Sequence, residues 1–145
     1  MQPITLTPQT RPDALNVIGV QITVLASGEQ TGSHEVTFQE GPEGMGPPPH
    51  SHGWAESFYV LRGSVDMMIG GQKVKGLPGS FIHVPANTVH AFQFGPEGGA
   101  MLEIAGQGGM ATAMFRRLDQ EVPPGPPDIP KVVSILRDHG VAVTL

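Results

Sequence analysis

The most informative segment of the chain runs from residue 44 to residue 63 and reads GMGPPPHSHGWAESFYVLRG. His50 and His52 stand two residues apart, and Glu56 follows four residues after His52. In an extended chain, residues i and i+2 point to the same face, so both imidazoles can reach one ion. Glu56 shares that phase if the segment stays extended, and it can add a carboxylate. The segment therefore predicts a metal site.

A second segment, residues 79–94, reads GSFIHVPANTVHAFQF and supplies His90. His90 lies on another apolar β-like stretch, which a barrel could bring opposite the first pair of histidines. Three neutral imidazoles and one carboxylate suit Fe, Mn, Ni, Co, Cu or Zn, and they suit Ca or Mg poorly. Such a set leaves coordination positions open for water, dioxygen or substrate. We expect one divalent transition metal, without a preference among these ions.

Glycine and proline punctuate the chain, which has 145 residues with 20 glycines and 15 prolines. Between the Gly/Pro clusters the chain favours short strands, and Arg62-Gly63 and Gly70-Gly71 are expected to form tight turns. Many short strands at near-regular spacing predict a sandwich or a small barrel. The expected strands cover residues 17–25, 35–38, 56–61, 64–69, 81–84, 89–94 and 100–104.

The C-terminal third predicts two helices that pack on the outside of the barrel in a structural role. Met110, Met114, Phe115 and Leu118 follow helical spacing. After a Pro-rich connector, Asp128 is expected to cap a second helix that ends near Gly140, and a short strand follows. We predict one domain over residues 1–145, with a barrel core at about 16–105 and a helical extension at about 109–145.

Charge and composition exclude several classes of protein. The net charge is −5, with only 8 Lys and Arg, so no basic stripe exists for nucleic acid. The chain has no cysteine, which excludes disulfides, thiolate metal sites and a thiol nucleophile. We expect no membrane segment and no signal peptide, hence a cytoplasmic protein. Charged residues make up only 14% of the chain, which leads us to expect a homodimer.

The first segment resembles the first motif of the cupin superfamily in the spacing of its Gly44, His50, His52, Glu56 and Gly63. The second resembles the second cupin motif in the spacing Gly79-x5-Pro85-x-Asn87-x2-His90. By this resemblance, His50, His52, Glu56 and His90 correspond to the family's four metal ligands. The implied fold is an all-β, double-stranded β-helix (a jelly roll). The C-terminal third also resembles the small single-domain cupins usually labelled quercetin-dioxygenase-like.

Two positions depart from the family pattern. The second motif usually has Gly where Asn87 stands, and Asn tolerates positive φ better than most residues, so a similar turn is expected. Phe94 replaces the motif's usual closing Asn, which changes the pocket wall or the inner packing.

Alternation along the strands predicts which side chains accompany the metal. Phe58 and Val60 share the phase of Glu56, while Phe92 and Phe94 share that of His90. These four side chains form either the barrel core or an apolar substrate pocket beside the metal. Trp54, the only tryptophan, is either a lid over this pocket or a rim residue.

The leading functional interpretation is a metal-dependent, dioxygenase-type oxidoreductase that acts on a small apolar or phenolic compound. Glu56 then either ligates the metal or accepts a proton as a general base. One alternative is a non-redox lyase, isomerase or cyclase that uses the metal as a Lewis acid. Another is a small-molecule-binding cupin without catalysis. The assignment to a reaction class rests mainly on the resemblance, because one fold hosts many functions.

Overall fold

The computed structural model describes residues 2–144, and antiparallel strands are its main regular structure. Short glycine-rich turns separate most of these strands, and the helices are short. The strands are β1 (Leu15–Val17), β2 (Val20–Ala26), β3 (Glu35–Gly41), β4 (His50–His52), β5 (Glu56–Ile69), β6 (Gln72–Gly76), β7 (Phe81–Val84), β8 (His90–Ala105) and β9 (Val141–Val143). The helices are α1 (Gly28–Thr31), α2 (Ala111–Glu121) and α3 (Ile129–Asp138).

Two long strands, β5 and β8, join the two halves of the barrel. The first half of β5 pairs with β7 and with the second half of β8, and the second half of β8 also pairs with β3. The second half of β5 pairs with β6 and with the first half of β8, and the first half of β8 also pairs with β4. The antiparallel sheet therefore curls into the expected jelly roll, with strand order β1-β2-β3-β8-β4-β9 along one path.

The continuity of these two strands corrects the expected breaks at Arg62-Gly63 and near residue 95. The pairing of β5 with β8 shifts register between Val60 and Arg62 and again between Gly63 and Val65. Gly63 has a φ of 65°, and a Cβ there would collide with the backbone of Gly98. Glycine at this position lets two strands bend together and approach closely, so it acts as a corner rather than a turn.

Other local predictions are confirmed. Gly70 and Gly71, with φ values of 54° and 87°, form the two-residue turn between β5 and β6. The Asp128 side chain accepts a hydrogen bond from the backbone N–H of Lys131 and caps α3. Within residues 2–144, the helices fall short of the length and hydropathy needed to cross a membrane.

Candidate metal centre

Four side chains converge between the two halves of the barrel: His50 and His52 from β4, Glu56 from the start of β5, and His90 from the start of β8. One donor atom from each lies within 4.8 Å of the others. Oε1 of Glu56 lies 2.6 Å from Nε2 of His90 and 3.3 Å from Nε2 of His52. His50 is partly buried, and the other three residues are buried. The structure thus brings together every residue that the two motifs nominated as a ligand.

The route of the chain into this cluster differs from the simple alternation argument. His50 is directly paired with His90 across β4 and β8, which places their rings side by side. The chain then bends at Gly53 and Trp54 before β5 begins at Glu56. Glu56 therefore does not reach the cluster by shared phase on one extended strand. It arrives from the neighbouring half of the barrel because the sheet curls.

Backbone carbonyls fix the orientation of all three imidazoles. Nδ1 lies 2.8 Å from a backbone carbonyl oxygen in each case: Pro48 for His50, Trp54 for His52 and Thr88 for His90. A carbonyl only accepts, so each Nδ1 carries the hydrogen and donates it. The Nε2 atoms of His52 and His90 then face the Glu56 carboxylate. Hydrogen bonds of this kind orient the histidines of protein metal sites.

Burial and mutual charge set the protonation of the cluster. Burial, reinforced by the neighbouring His90, lowers the pKa of His50 to about 4, so this ring is neutral at neutral pH. Burial alone would raise the pKa of Glu56, but hydrogen bonds from His52 and His90 hold it well below its usual range. Burial opposes protonation of His90, yet its hydrogen bond to Glu56 raises the pKa of that ring. The carboxylate is therefore charged and attracts positive charge to the centre of the cluster.

The donor set fits a divalent transition metal. Three imidazole nitrogens and one carboxylate oxygen match the ligand preferences of Fe, Mn, Co, Ni, Cu and Zn. The buried carboxylate supplies negative charge that a cation neutralises, and His50 is already in the neutral form that ligation requires. The cluster could thus hold a metal ion.

A cavity of about 120 Å³ adjoins the cluster, and all four of its members contribute to the cavity wall. The remaining wall is mainly apolar and includes Phe92 from β8. Both C-terminal helices also contribute, through Met114 and Phe115 of α2 and Val132 and Leu136 of α3. The helical extension therefore shapes the cavity, which corrects the expectation of a purely structural role outside the barrel.

Of the four residues predicted from alternation to flank the metal, the structure places one at the cavity wall. Phe92 lines the cavity, whereas Phe58, Val60 and Phe94 belong to the packed core of the barrel. The rings of Phe58 and Phe94 pack against Phe92, with ring centroids 6.1 Å and 5.6 Å from it. Alternation identified the inward-facing side chains correctly, but of these four only Phe92 reaches the cavity wall.

Trp54 was expected as a lid or a rim residue, whereas Gln39 and Glu103 had no role assigned from the sequence. Trp54 is buried, lines the cavity and stacks on His52, with ring centroids 4.1 Å apart and an angle of 12°. Gln39 and Glu103 are polar residues on the inward faces of β3 and β8, and both line the cavity. Glu103 shares the phase of the buried Met101 and Ala105, and this phase was the signal available in the sequence.

Comparison with known proteins agrees with this architecture. A quercetin 2,3-dioxygenase from Bacillus subtilis (strain 168) is 41% identical over 71 residues, which are 48% of this chain and 21% of that relative. The chain thus matches about a fifth of that relative's length.

Two solved structures share the fold at low sequence identity. The polyketide cyclase RemF from Streptomyces resistomycificus matches with a TM-score of 0.62 and 21% identity, over 72% of this chain and 80% of its own. A predicted oxalate decarboxylase from Thermotoga maritima matches with a TM-score of 0.61 and 19% identity, over 73% of this chain and 99% of its own.

The family model described as a cupin domain matches residues 25–104. This range includes β3 to β7, all but the last residue of β8, and all four residues of the histidine–glutamate cluster. The chain therefore belongs to the cupin family.

Proposed function

We propose that this chain is a metal-dependent cupin enzyme of dioxygenase type that acts on a small phenolic compound. His50, His52, His90 and Glu56 would hold one divalent transition metal. The observation that carries the proposal is the convergence of these four donors within 4.8 Å of one another at the wall of a mainly apolar cavity. The relative named quercetin 2,3-dioxygenase supports the reaction class.

A bound metal of this kind would supply Lewis acidity at its open coordination positions, and a redox-active ion such as Fe, Mn or Cu would add one-electron chemistry. The chain's own residues orient the substrate beside it and handle its proton. The Glu56 carboxylate is charged and faces the cluster, so its oxygen that does not bind the metal is placed to accept the hydroxyl proton of a phenol. Phe92 and the apolar side chains of α2 and α3 hold the ring and exclude bulk water.

The size of the cavity favours a single-ring substrate. Its volume is about 120 Å³, and an apolar cavity of about 150 Å³ in another protein binds benzene. A three-ring compound such as quercetin would require α2 and α3 to move away from the barrel. We therefore assign single-ring phenols as the substrate class.

Oxygen uptake tests the reaction class. The metal-loaded protein is incubated with a panel of single-ring phenols, with and without dioxygen. A dioxygenase consumes one O₂ per product, and both oxygen atoms appear in the product by mass spectrometry. Turnover that continues unchanged without dioxygen would contradict this proposal and favour the non-redox alternative. The names of the cyclase and the predicted decarboxylase of similar fold support that alternative.

The variant Glu56→Gln tests the role of the carboxylate. Because three histidines remain, we expect the variant to retain metal. Loss of the base should lower turnover by about a hundredfold or more. Unchanged turnover at full metal occupancy would remove Glu56 from proton transfer.

We also propose that the protein is a homodimer that associates through the outer face of β5, β7 and β8. Tyr59 and Phe81 are directly paired there and are 43% and 65% exposed, and Leu61 and Ile104 extend the apolar surface. A second copy presenting the same face would cover these side chains. Light scattering should give twice the chain mass, and Phe81→Glu should give a monomer. A monomeric wild-type protein would contradict the proposal.

A further inference from the structure

Glu103 is a buried carboxyl group outside the histidine cluster. It lies on the inward face of β8, retains 5% of its surface exposed and lines the same cavity. Nε2 of Gln39 donates a hydrogen bond of 3.0 Å to its Oε2. The same nitrogen donates to Oγ1 of Thr37 at 3.1 Å. Gln39 thereby holds the Glu103 carboxyl in one orientation against the cavity.

The other carboxyl oxygen, Oε1, receives no hydrogen bond from a side chain or backbone group of residues 2–144. Glu35, another buried glutamate nearby, differs in this respect. Its two oxygens accept hydrogen bonds from the backbone N–H groups of Gly28 and Thr112, each at 3.2 Å. Glu35 is therefore satisfied by the fold, whereas Glu103 has hydrogen-bonding capacity left for the cavity.

The protonation of Glu103 also favours a hydrogen bond from this carboxyl into the cavity. Burial, together with the charge of Glu56, raises the pKa of Glu103 well above its ordinary value. The carboxyl therefore holds its proton to a higher pH than an ordinary glutamate does. Since Oε2 accepts from Gln39, the proton belongs on Oε1, which can donate to an oxygen in the cavity.

The sheet fixes the position of Glu103 relative to the cluster. Phe58 is paired with Glu103 across β5 and β8, and Glu56 is paired with Ala105. Glu56 and Glu103 are therefore diagonal neighbours on the inward face, and such neighbours lie roughly 7–8 Å apart. Both side chains line the same cavity from neighbouring strands, so a ligand in that cavity lies within reach of both.

We propose that Glu103, held by Gln39, is the second polar anchor of the cavity and binds a second oxygen of the substrate. The substrate class is then a single ring with two separate oxygen functions, one directed to the histidine cluster and the other to Glu103. This inference rests on the proposed function for the orientation of the first oxygen. An analogue that lacks the second oxygen leaves the buried carboxyl unpaired, which is a strong basis for discrimination.

The test compares the affinity of Co²⁺-loaded protein for phenol, 1,3-dihydroxybenzene and 1,4-dihydroxybenzene by calorimetry. Neither diol can bind one metal ion through both oxygens, so a gain over phenol reports a second partner. We expect at least one diol to bind roughly tenfold to a hundredfold more tightly than phenol. Glu103→Met should abolish this preference with little effect on phenol. Glu103→Gln should keep it, because the amide still accepts from Gln39 and donates to the ligand.

Two further variants complete the design. Glu35→Gln is the matched control for loss of a buried carboxyl, and it should keep the preference for the diol. Gln39→Met leaves Glu103 in place but removes its hydrogen-bond donor, so it should weaken the preference for the diol. This variant tests the inference independently if Glu103→Met does not fold.

Equal affinity for phenol and both diols in the wild type, or a preference that survives Glu103→Met, would overturn the inference. Metal content is measured on the same samples. A protein that binds no metal refutes the proposed function, whereas a diol preference dependent on Glu103 can still be measured without metal.

Discussion

Oε1 of Glu56 lies 2.6 Å from Nε2 of His90, although 34 positions separate the two residues in the chain. The first half of β5 and the first half of β8 belong to opposite halves of the barrel, and the curl of the sheet brings their starts together. A charged carboxylate is thus buried among three imidazoles. Such an arrangement is costly without a cation to pair with it.

The first prediction concerns the effect of metal on stability. Co²⁺ added to EDTA-treated protein should raise the melting temperature, because an ion that binds only the folded state stabilises it. At a hundredfold excess over Kd the gain is about 2.7 kcal/mol, which corresponds to roughly 5–10 °C for a chain of this size. Scanning calorimetry measures the shift. The variant His90→Ala should show no such shift, and an equal shift in both proteins would contradict the assigned ligands.

The second prediction uses Trp54 as a reporter. It is the only tryptophan and stacks on His52 with ring centroids 4.1 Å apart. Bound Co²⁺, which has unpaired d electrons, should quench its fluorescence, whereas Zn²⁺ with its filled d shell should not. A titration should reach its end point at one Co²⁺ per chain. Quenching that requires a large excess of Co²⁺ would show that the ion binds elsewhere.

The third prediction concerns pH. The pKa of Glu103 is raised above 4.5 by burial and by Glu56, so its contribution to stability is complete below about pH 4.5 and is lost as the pH rises. The wild type should therefore lose stability relative to Glu103→Gln as the pH rises above about 5. Thermal unfolding of both proteins in EDTA measures the difference between their stabilities at each pH. Both proteins contain His50, so its titration contributes equally to each and cancels in the difference. A difference that stays constant with pH would contradict the buried, neutral carboxyl.

The fourth prediction concerns the turn before His90. Asn87 has a φ of 65°, and its backbone N–H donates to the carbonyl of His52 at 2.7 Å, which ties the turn to β4. Asn87→Gly should change the free energy of unfolding by less than about 1 kcal/mol. Asn87→Val should cost about 2 kcal/mol or more, because a β-branched residue strains this conformation. Urea unfolding compares the two, and equal stabilities would refute the strained turn.

Local rules predicted those parts of the molecule that depend on neighbouring residues. The positive φ of Asn87, the Gly70-Gly71 turn and the Asp128 cap each follow from the chemistry of a few adjacent residues. The bend at Gly63 escaped prediction because glycine permits both a reversal and a corner. Only its partner strand, through the close approach of Gly98, distinguishes the two.

The candidate site shows the same division between local and distant information. The spacing of His50, His52 and Glu56 nominated the cluster, but the path by which Glu56 arrives depends on the curl of the whole sheet. The role of Glu103 depends on Gln39, which is 64 positions away, and on a cavity closed by helices from the end of the chain. Neither relationship leaves a pattern within one segment of sequence.

The measurement that tests the central claim most directly is the metal content of purified protein by elemental analysis. The wild type should carry about one transition metal per chain, and His50→Ala and His90→Ala should each lose it. His83→Ala is the matched control, because His83 forms a hydrogen bond with Ser57 on the exposed face of the barrel. This variant should retain the metal. Equal metal content in all four proteins would contradict the assignment of His50 and His90 as ligands.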